Sequence, residues 1–172
     1  AADYPAVVLA NSPVLYLRLD EPPLAASANA AANHGTLGAA WTGTYAGAGV
    51  QLGNPLVAKG TVGPRPADQP GVEAGNTAVG MTNGWVTSPP LALGNNVTVL
   101  TWLKREATST TGDLSWPAWL GGGGLHLNLG TVGVPEAELR YHWNGDKWGW
   151  ASGLFVPPDV WTFAAIVVEP NQ

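Results

Sequence analysis

The residues best suited to catalysis in this sequence are two carboxylates spaced two positions apart, Glu136 and Glu138. On a β-strand, residues at i and i+2 share one face, and paired carboxylates are the working groups of glycosidases. Arg140 follows at the same spacing. A surface ion pair is therefore the simpler interpretation, and it is the one that we favour over catalysis.

Serine-hydrolase and zinc chemistry find no support in the spacing of the other polar residues. No serine lies in a Gly-x-Ser-x-Gly turn. The three histidines, His34, His126 and His142, are far apart in the sequence, whereas zinc requires clustered His or Cys ligands. The chain has no cysteine, which removes thiolate nucleophiles and disulfides. We expect a protein that is not an enzyme and has no cofactor.

The composition excludes two classes of partner. Only 11% of the 172 residues are charged and the net charge is −5, so no basic surface is available for nucleic acid. No apolar run approaches the ~20 residues that a membrane helix needs, so we expect no membrane insertion. The chain begins "AADYP", which we interpret as the start of a mature protein after removal of a signal peptide. The alternative is that the given sequence begins at this position for a reason unrelated to processing. We expect a secreted or cell-surface protein.

Strand patterns dominate the elements that would position these residues. Alternating or β-branched apolar runs predict strands over Pro13–Glu21, Asn96–Lys104, Leu125–Gly130 and Trp161–Val168. The second and the last of these are apolar on both faces, as expected for strands covered on both sides. Only Tyr4–Ser12 suits a short helical turn. With 23 glycines and 15 prolines in the chain, the pattern predicts an all-β sandwich or jelly roll of antiparallel sheets.

The segment "ELRYHWNGDKWGWAS" contains three tryptophans and a tyrosine around an Asn144-Gly145 pair. A two-residue turn at this pair would place Leu139 opposite Trp150. The tryptophan and tyrosine rings would then lie on one face, and Glu138, Arg140, His142 and Lys147 on the other. This segregation favours a core hairpin over an aromatic binding platform, and leaves only the turn, with Asn144 and Asp146, free to contact a ligand.

The same segments resemble a known family. The blocks "YPAVVLANSPVLYLRLDE", "NHGTLGAAWTGTYAGAGVQLG", "VTVLTWLKRE" and "LRYHWNGDKWGWASGLFVPPDVWTFAAIVVEP" are similar in order and spacing to bacterial LamG-like domains of the laminin-G/concanavalin A-like superfamily. The likeness is weak over Lys59–Glu73. The resemblance implies a two-sheet antiparallel jelly roll, within an exported bacterial protein that has an adhesive or carbohydrate-binding role. It also implies that calcium is often bound and catalysis is rare.

The chain departs from the family at the loop that usually suits calcium. Here the loop reads "PPLAASANAAANHG", which keeps Asn29 and Asn33 but has no carboxylate, although calcium prefers several oxygen ligands with net negative charge. The nearest acids are Asp20 and Glu21. Two interpretations stay open: these acids bind a calcium ion, or they are ordinary solvated residues at a strand end.

A second departure lies at the end of the sequence. Family members continue with further strands after the position of Glu169, where this chain reads "EPNQ". We therefore expect a single LamG-like domain over residues 1–172 that lacks its last strands. The exposed edge would be completed by the rest of a larger polypeptide, which we favour, or by a strand from a neighbouring subunit.

These inferences predict a non-catalytic binding or adhesion module for a glycan or another cell-surface ligand. Its candidate contacts are rings that we expect to be carried on loops, although for any single ring packing over the sandwich edge is the simpler interpretation. Trp116 and Trp119 stand out, because Gly121–Gly124 predicts a mobile loop. Two alternatives are a structural subunit of a surface layer, sheath or filament, and an accessory domain of a secreted hydrolase. The candidate rings are Trp41, Tyr45, Trp85, Trp116 and Trp119.

Overall fold

The structure, a computed structural model, describes residues 3–21, 29–47, 57–81, 84–91, 96–107, 114–119, 124–128, 137–142 and 150–169. In chain order their elements are α1 (Tyr4–Ala10), β1 (Ala30–Ala31), a 3-10 helix (Ala39–Trp41), β2 (Gly43–Gly47), β3 (Val57–Val62), β4 (Thr77–Met81), β5 (Gly84–Thr87), β6 (Val97–Leu103), β7 (Leu114–Trp119), β8 (Gly124–Asn128), β9 (Ala137–His142), β10 (Trp150–Val156) and β11 (Thr162–Val168).

The fold is mostly β, with several small antiparallel sheets and one short α-helix. This confirms the predicted antiparallel β class, but the described residues do not close into the two-sheet sandwich of a jelly roll. The chain divides into two compact units, residues Ala1–Pro89 and Pro90–Gln172. The single domain predicted over residues 1–172 stays a prediction.

The helix α1 confirms the helical turn predicted near the start of the chain. Asp3 caps it, because its Oδ1 accepts a hydrogen bond of 2.9 Å from the Ala6 amide. Pro5 in the first turn is buried, at a position where the missing amide hydrogen costs nothing. The helix ends at Asn11, whose side-chain amide donates to the Val7 carbonyl at 2.8 Å. No helix in the described ranges is long and apolar enough to cross a membrane.

A three-stranded sheet of order β1–β2–β5 forms the centre of the first unit. Its inner face is packed tightly: Ala31 and Tyr45 are only 0% and 2% exposed. Gly43 pairs with Ala31 and lies two residues before Tyr45 in β2. A Cβ atom at Gly43 would lie 2.8 Å from a methyl carbon of Val86. The glycine is therefore needed for close packing of this face.

The predicted strand Pro13–Glu21 is wrong. The segment pairs with its neighbour only through an isolated antiparallel bridge between Leu17 and Asn33, and Leu19 has a positive φ of 57° that interrupts an extended chain. The Asn33 side chain takes the place of a partner strand, since its Oδ1 accepts a hydrogen bond of 2.9 Å from the Tyr16 amide. An amide side chain, which the strand pattern does not reveal, organises this segment.

The strands β3 and β4 form a separate two-stranded sheet. Its register shifts at Gly60, where φ is 71°, a backbone conformation that favours glycine. The loop between the two strands is closed by Arg65, which donates 2.6 Å hydrogen bonds to the carbonyls of Ala74 and Asn76. The arginine is thereby a structural residue of the first unit.

The second unit contains a regular pair, β6–β11, and a four-stranded sheet of order β10–β9–β8–β7. The pair runs without a register shift from Leu103 opposite Thr162 to Val97 opposite Val168. It confirms the strands predicted over these two segments, and β8 overlaps the strand predicted over Leu125–Gly130. Residues from both sheets meet in one hydrophobic cluster of Leu103, Leu139, Val156, Ala164 and Ile166.

The other face of β6–β11 is apolar but exposed, so the prediction that these strands are covered on both sides is wrong for the residues described. Leu100, Phe163 and Val167 are 51%, 45% and 60% exposed. The Phe163 ring lies 5.2 Å from the ring of Trp102, its direct cross-strand partner. We call this surface, formed by Thr98, Leu100, Trp102, Phe163, Ala165 and Val167, the β6–β11 outer face.

The aromatic hairpin has a different register from the predicted one. Trp150 pairs with Tyr141 rather than with Leu139, and Leu139 pairs with Leu154 after an irregularity in β10. The shift between the predicted and the observed partner of Trp150 is two residues, an even number, so it does not exchange the faces of the paired backbone positions. Leu139 is buried in the core cluster, in agreement with the core interpretation. The Asn-Gly turn and the side chains of the tryptophans lie outside the described residues.

Candidate functional site

The outer face of the β1–β2–β5 sheet carries an exposed tryptophan. Trp85 lies in β5 and is 51% exposed, whereas its neighbour Val86 points inward opposite the buried Tyr45. The prediction that Trp85 belongs to a loop is therefore wrong, but its accessibility agrees with the predicted role. We call this surface the Trp85 face; it is formed by Ala30, Thr44, Ala46, Trp85 and Thr87.

Small neighbours leave the indole ring of Trp85 accessible. The residue directly opposite is Ala46, whose methyl group is too small to cover a ring at the cross-strand distance of about 5 Å. Thr44 and Thr87 pair with each other on the same face, and both are exposed. Each lies about 7 Å from Trp85, as a diagonal or i+2 neighbour. An accessible ring with a pair of hydroxyl groups on one side of it suits a ligand that is both apolar and hydroxyl-rich.

Tyr45, one of the predicted contact rings, points to the opposite face. It lies in β2 rather than a loop, and only 2% of it is exposed, so its ring is not accessible to a ligand. Its hydroxyl donates a hydrogen bond of 2.5 Å to Oε2 of Glu21. Burial raises the pKa of Tyr45 well above its usual value, and the hydrogen bond to Glu21 raises it further. Tyr45 is therefore a structural residue that supports the sheet carrying Trp85.

Glu21 uses both of its carboxylate oxygens in contacts with its own chain. Oε1 accepts a hydrogen bond of 2.7 Å from the amide of Ala32, directly after β1, and Oε2 accepts the bond from Tyr45. The carboxylate thus connects β1 to β2 across the inner side of the sheet. Glu21 is neither a free solvated acid nor a carboxylate with unused oxygens.

The neighbouring acid, Asp20, is paired with an arginine. Arg18 contacts Asp20 at 2.9 Å and Glu73 at 2.9 Å, so its single positive charge is shared between two carboxylates. Among the residues that the structure describes, no group of three or more His, Cys, Asp or Glu side chains could hold a metal ion. Asp20 thus lies in an ion pair and Glu21 in a hydrogen-bonded contact between strands, and the calcium ion considered near these two acids stays a prediction.

The remaining predicted contact residues lie in other elements or outside the described residues. Trp41 is half-buried in the 3-10 helix of the first unit. Trp116 and Trp119 lie in β7, so their predicted placement in a loop is wrong; their side chains are outside the described part of the structure. Asn144 and Asp146 also fall outside it.

The carboxylate Glu138 has a structural environment. Its Oε2 pairs with Nε of Arg140 at 2.7 Å, and its Oε1 accepts a hydrogen bond of 3.0 Å from the amide of Gly153. The predicted ion pair is confirmed, but Glu138 is buried rather than solvated. Its second contact lies at the irregularity of β10, where Gly153 has a φ of 72°. Glu136, its proposed partner, lies outside the described residues.

The sequence reasoning missed Thr44 and Thr87 as members of the site. The signal was present, because alternation along a strand places Thr87 on the same face as Trp85. The four-residue run "GWVT" is short and is followed by "SPP", which favoured a loop over a strand.

Comparison of the chain with known proteins finds no matching family model, no matching curated protein and no matching solved structure. The resemblance to LamG-like domains therefore rests on the sequence blocks quoted above. The functional interpretation rests on the exposed and buried residues of the two units.

Proposed function

We propose that this protein is a non-catalytic extracellular module that binds carbohydrate or another surface ligand through the Trp85 face. The observation that carries this proposal is the position of Trp85, which is 51% exposed on a face of small and hydroxyl-bearing residues. An exposed aromatic ring stacks on an apolar ligand surface, while neighbouring hydroxyls bond its polar groups.

The antiparallel β class supports the finer part of the proposal, which is a LamG-like jelly roll in a secreted or cell-surface protein. In such a fold, sheets pack in layers and leave their outer faces or loops for recognition. The proposal assigns no catalytic residue, because the buried Glu138 is engaged by Arg140 and by the Gly153 amide.

A glycan array followed by calorimetric titration of the best ligand tests the proposal. We expect Trp85→Ala to weaken binding about tenfold, since loss of a stacking ring removes about 1–3 kcal/mol and about 1.4 kcal/mol corresponds to a factor of ten. The matched control is Phe163→Ala, which removes a ring that is 45% exposed in the other unit, and should leave the affinity unchanged. If the parent protein binds nothing on the array, or if both variants bind equally well, the proposal is wrong.

A structural subunit is the second candidate, and the β6–β11 outer face favours it. Six uncharged residues form this face, and Leu100 and Val167 are more than half exposed. Apolar faces of this kind are typical of surfaces that neighbouring molecules cover. Light scattering over a wide concentration range would test this function. A monodisperse monomer at the highest concentration would reject it.

A further inference from the structure

The five residues of the Trp85 face are all uncharged. Their polar groups are the hydroxyls of Thr44 and Thr87, each of which both donates and accepts hydrogen bonds. A hydroxyl suits another hydroxyl, whereas a carboxylate or sulfate group is recognised best by cationic donors. The face therefore has the chemistry to bind a polyol, and it contains no cation that would select an anion.

The described arginines of the same unit are already engaged by their own chain. The guanidinium of Arg18 is shared between Asp20 and Glu73, at 2.9 Å each. Arg65 donates to two backbone carbonyls within its loop. Neither arginine is free to neutralise an anionic ligand without giving up these contacts.

The charge of the whole chain acts in the same direction. A net charge of −5 repels a polyanion during its approach, and this repulsion is partly screened by salt. An uncharged polysaccharide meets no such barrier. Its ring hydrogens form an apolar surface for the indole, and its hydroxyls lie where Thr44 and Thr87 would meet them, about 7 Å from the tryptophan.

From these observations we infer that the ligand of the Trp85 face is an uncharged glycan, bound by stacking on Trp85 and by hydroxyl contacts with Thr44 and Thr87. This inference rests on the proposed binding function. It adds the charge class of the ligand and two residues that contribute to affinity.

The test compares neutral glucan oligosaccharides with uronic acid oligosaccharides of equal length, titrated into the full chain. We expect binding of the neutral series only, with an affinity that changes little between about 0.05 and 0.5 M salt. Trp85→Ala should weaken binding about tenfold. Thr44→Val and Thr87→Val, which remove a hydroxyl at nearly constant volume, should each weaken it roughly threefold to tenfold.

The control variant is Thr98→Val, which removes an exposed hydroxyl from β6 in the other unit and should leave the affinity unchanged. Selective binding of the uronic acid series that depends on Trp85 would overturn the inference and leave the proposed function standing. Binding of neutral glucans that survives both threonine substitutions would also overturn it. Failure of both series and of a broad glycan array would overturn the proposed function itself.

Discussion

Replacing Tyr45 by phenylalanine tests the support beneath the Trp85 face. The ring is 2% exposed and its hydroxyl donates to Oε2 of Glu21, so the substitution removes the hydrogen bond to Glu21 and keeps the volume of the ring. A hydrogen bond to a charged group contributes about 1.5–3 kcal/mol. Glu21 is only partly buried and keeps its bond from Ala32. We therefore expect the lower end of that range, a loss of about 1.5–2 kcal/mol in the free energy of unfolding.

The same residue gives the stability a defined dependence on alkaline pH. Burial raises the pKa of Tyr45 in the folded state, so this tyrosine stays protonated after the unfolded chain has ionised at its ordinary pKa near 10. Its contribution is complete below about pH 10 and falls by about 1.4 kcal/mol per pH unit as pH rises toward the folded-state pKa. Burial also raises the pKa of Tyr16, to about 12. Tyr16 therefore adds a similar loss between about pH 10 and 12.

Urea denaturation of the parent protein and of Tyr45→Phe at several values between about pH 7 and 11 measures both effects. At neutral pH the control is Tyr16→Phe, because the contacts of Tyr16 with Asn33 and His34 use its backbone and ring. This control should cost less than about 0.5 kcal/mol at pH 7. Two results would refute the reasoning: equal stability of Tyr45→Phe and the parent at neutral pH, or an unchanged alkaline slope in Tyr45→Phe.

Three further substitutions test other contacts, each by its free energy of unfolding. Gly35→Ala should lower the free energy of unfolding by about 1–3 kcal/mol, because its Cβ would lie 2.6 Å from the carbonyl oxygen of Val14. The control is Gly75→Ala, which has open space and should cost little. Equal losses in the two variants would contradict this expectation. Leu103→Ala should lose about 2–5 kcal/mol from the core cluster, and a loss below about 1 kcal/mol would show that the cluster is loosely packed. Glu138→Gln breaks a buried ion pair and should lose about 2 kcal/mol; unchanged stability would show that the pair is unimportant.

The strands of the second unit could be predicted from sequence because their signal is local. Seven-residue runs of β-branched and apolar side chains in β6 and β11 have few alternatives to an extended conformation. The same alternation failed over Pro13–Glu21. There the decisive features are the positive φ of Leu19 and the hydrogen bond from the Tyr16 amide to Asn33, seventeen positions away. Neither feature can be recognised from the alternation of apolar and polar residues in the sequence.

The register of the aromatic hairpin shows a second limit. The segregation of apolar and charged side chains distinguishes odd shifts of strand register from even shifts, since only an odd shift moves residues to the other face of the sheet. They do not separate a pairing of Trp150 with Leu139 from the observed pairing with Tyr141. The irregularity at Ser152 and Gly153 changes the register within the pair, and there the amide of Gly153 donates a hydrogen bond to the buried Glu138.

The candidate site was predicted in part. Trp85 was identified as an accessible ring, but Tyr45 was assigned the same role although it lies on the inner face of the sheet. The difference is one of parity along paired strands: Trp85 lies opposite Ala46, while Tyr45 lies opposite Val86. Strand pairing between distant segments sets that parity, so composition alone does not decide which ring meets the solvent.

The β6–β11 pair has a consequence for the behaviour of the protein outside its native state. Neither strand contains a proline, a charged residue or a bulge, which are the usual features that prevent one chain from adding to the strands of another. Once the core cluster opens, both segments have the composition of aggregation-prone sequences. Heating should therefore lead to precipitation at a rate set by unfolding. Packing around Leu103 in the core cluster would then control the rate of irreversible loss of the protein as well as its equilibrium stability.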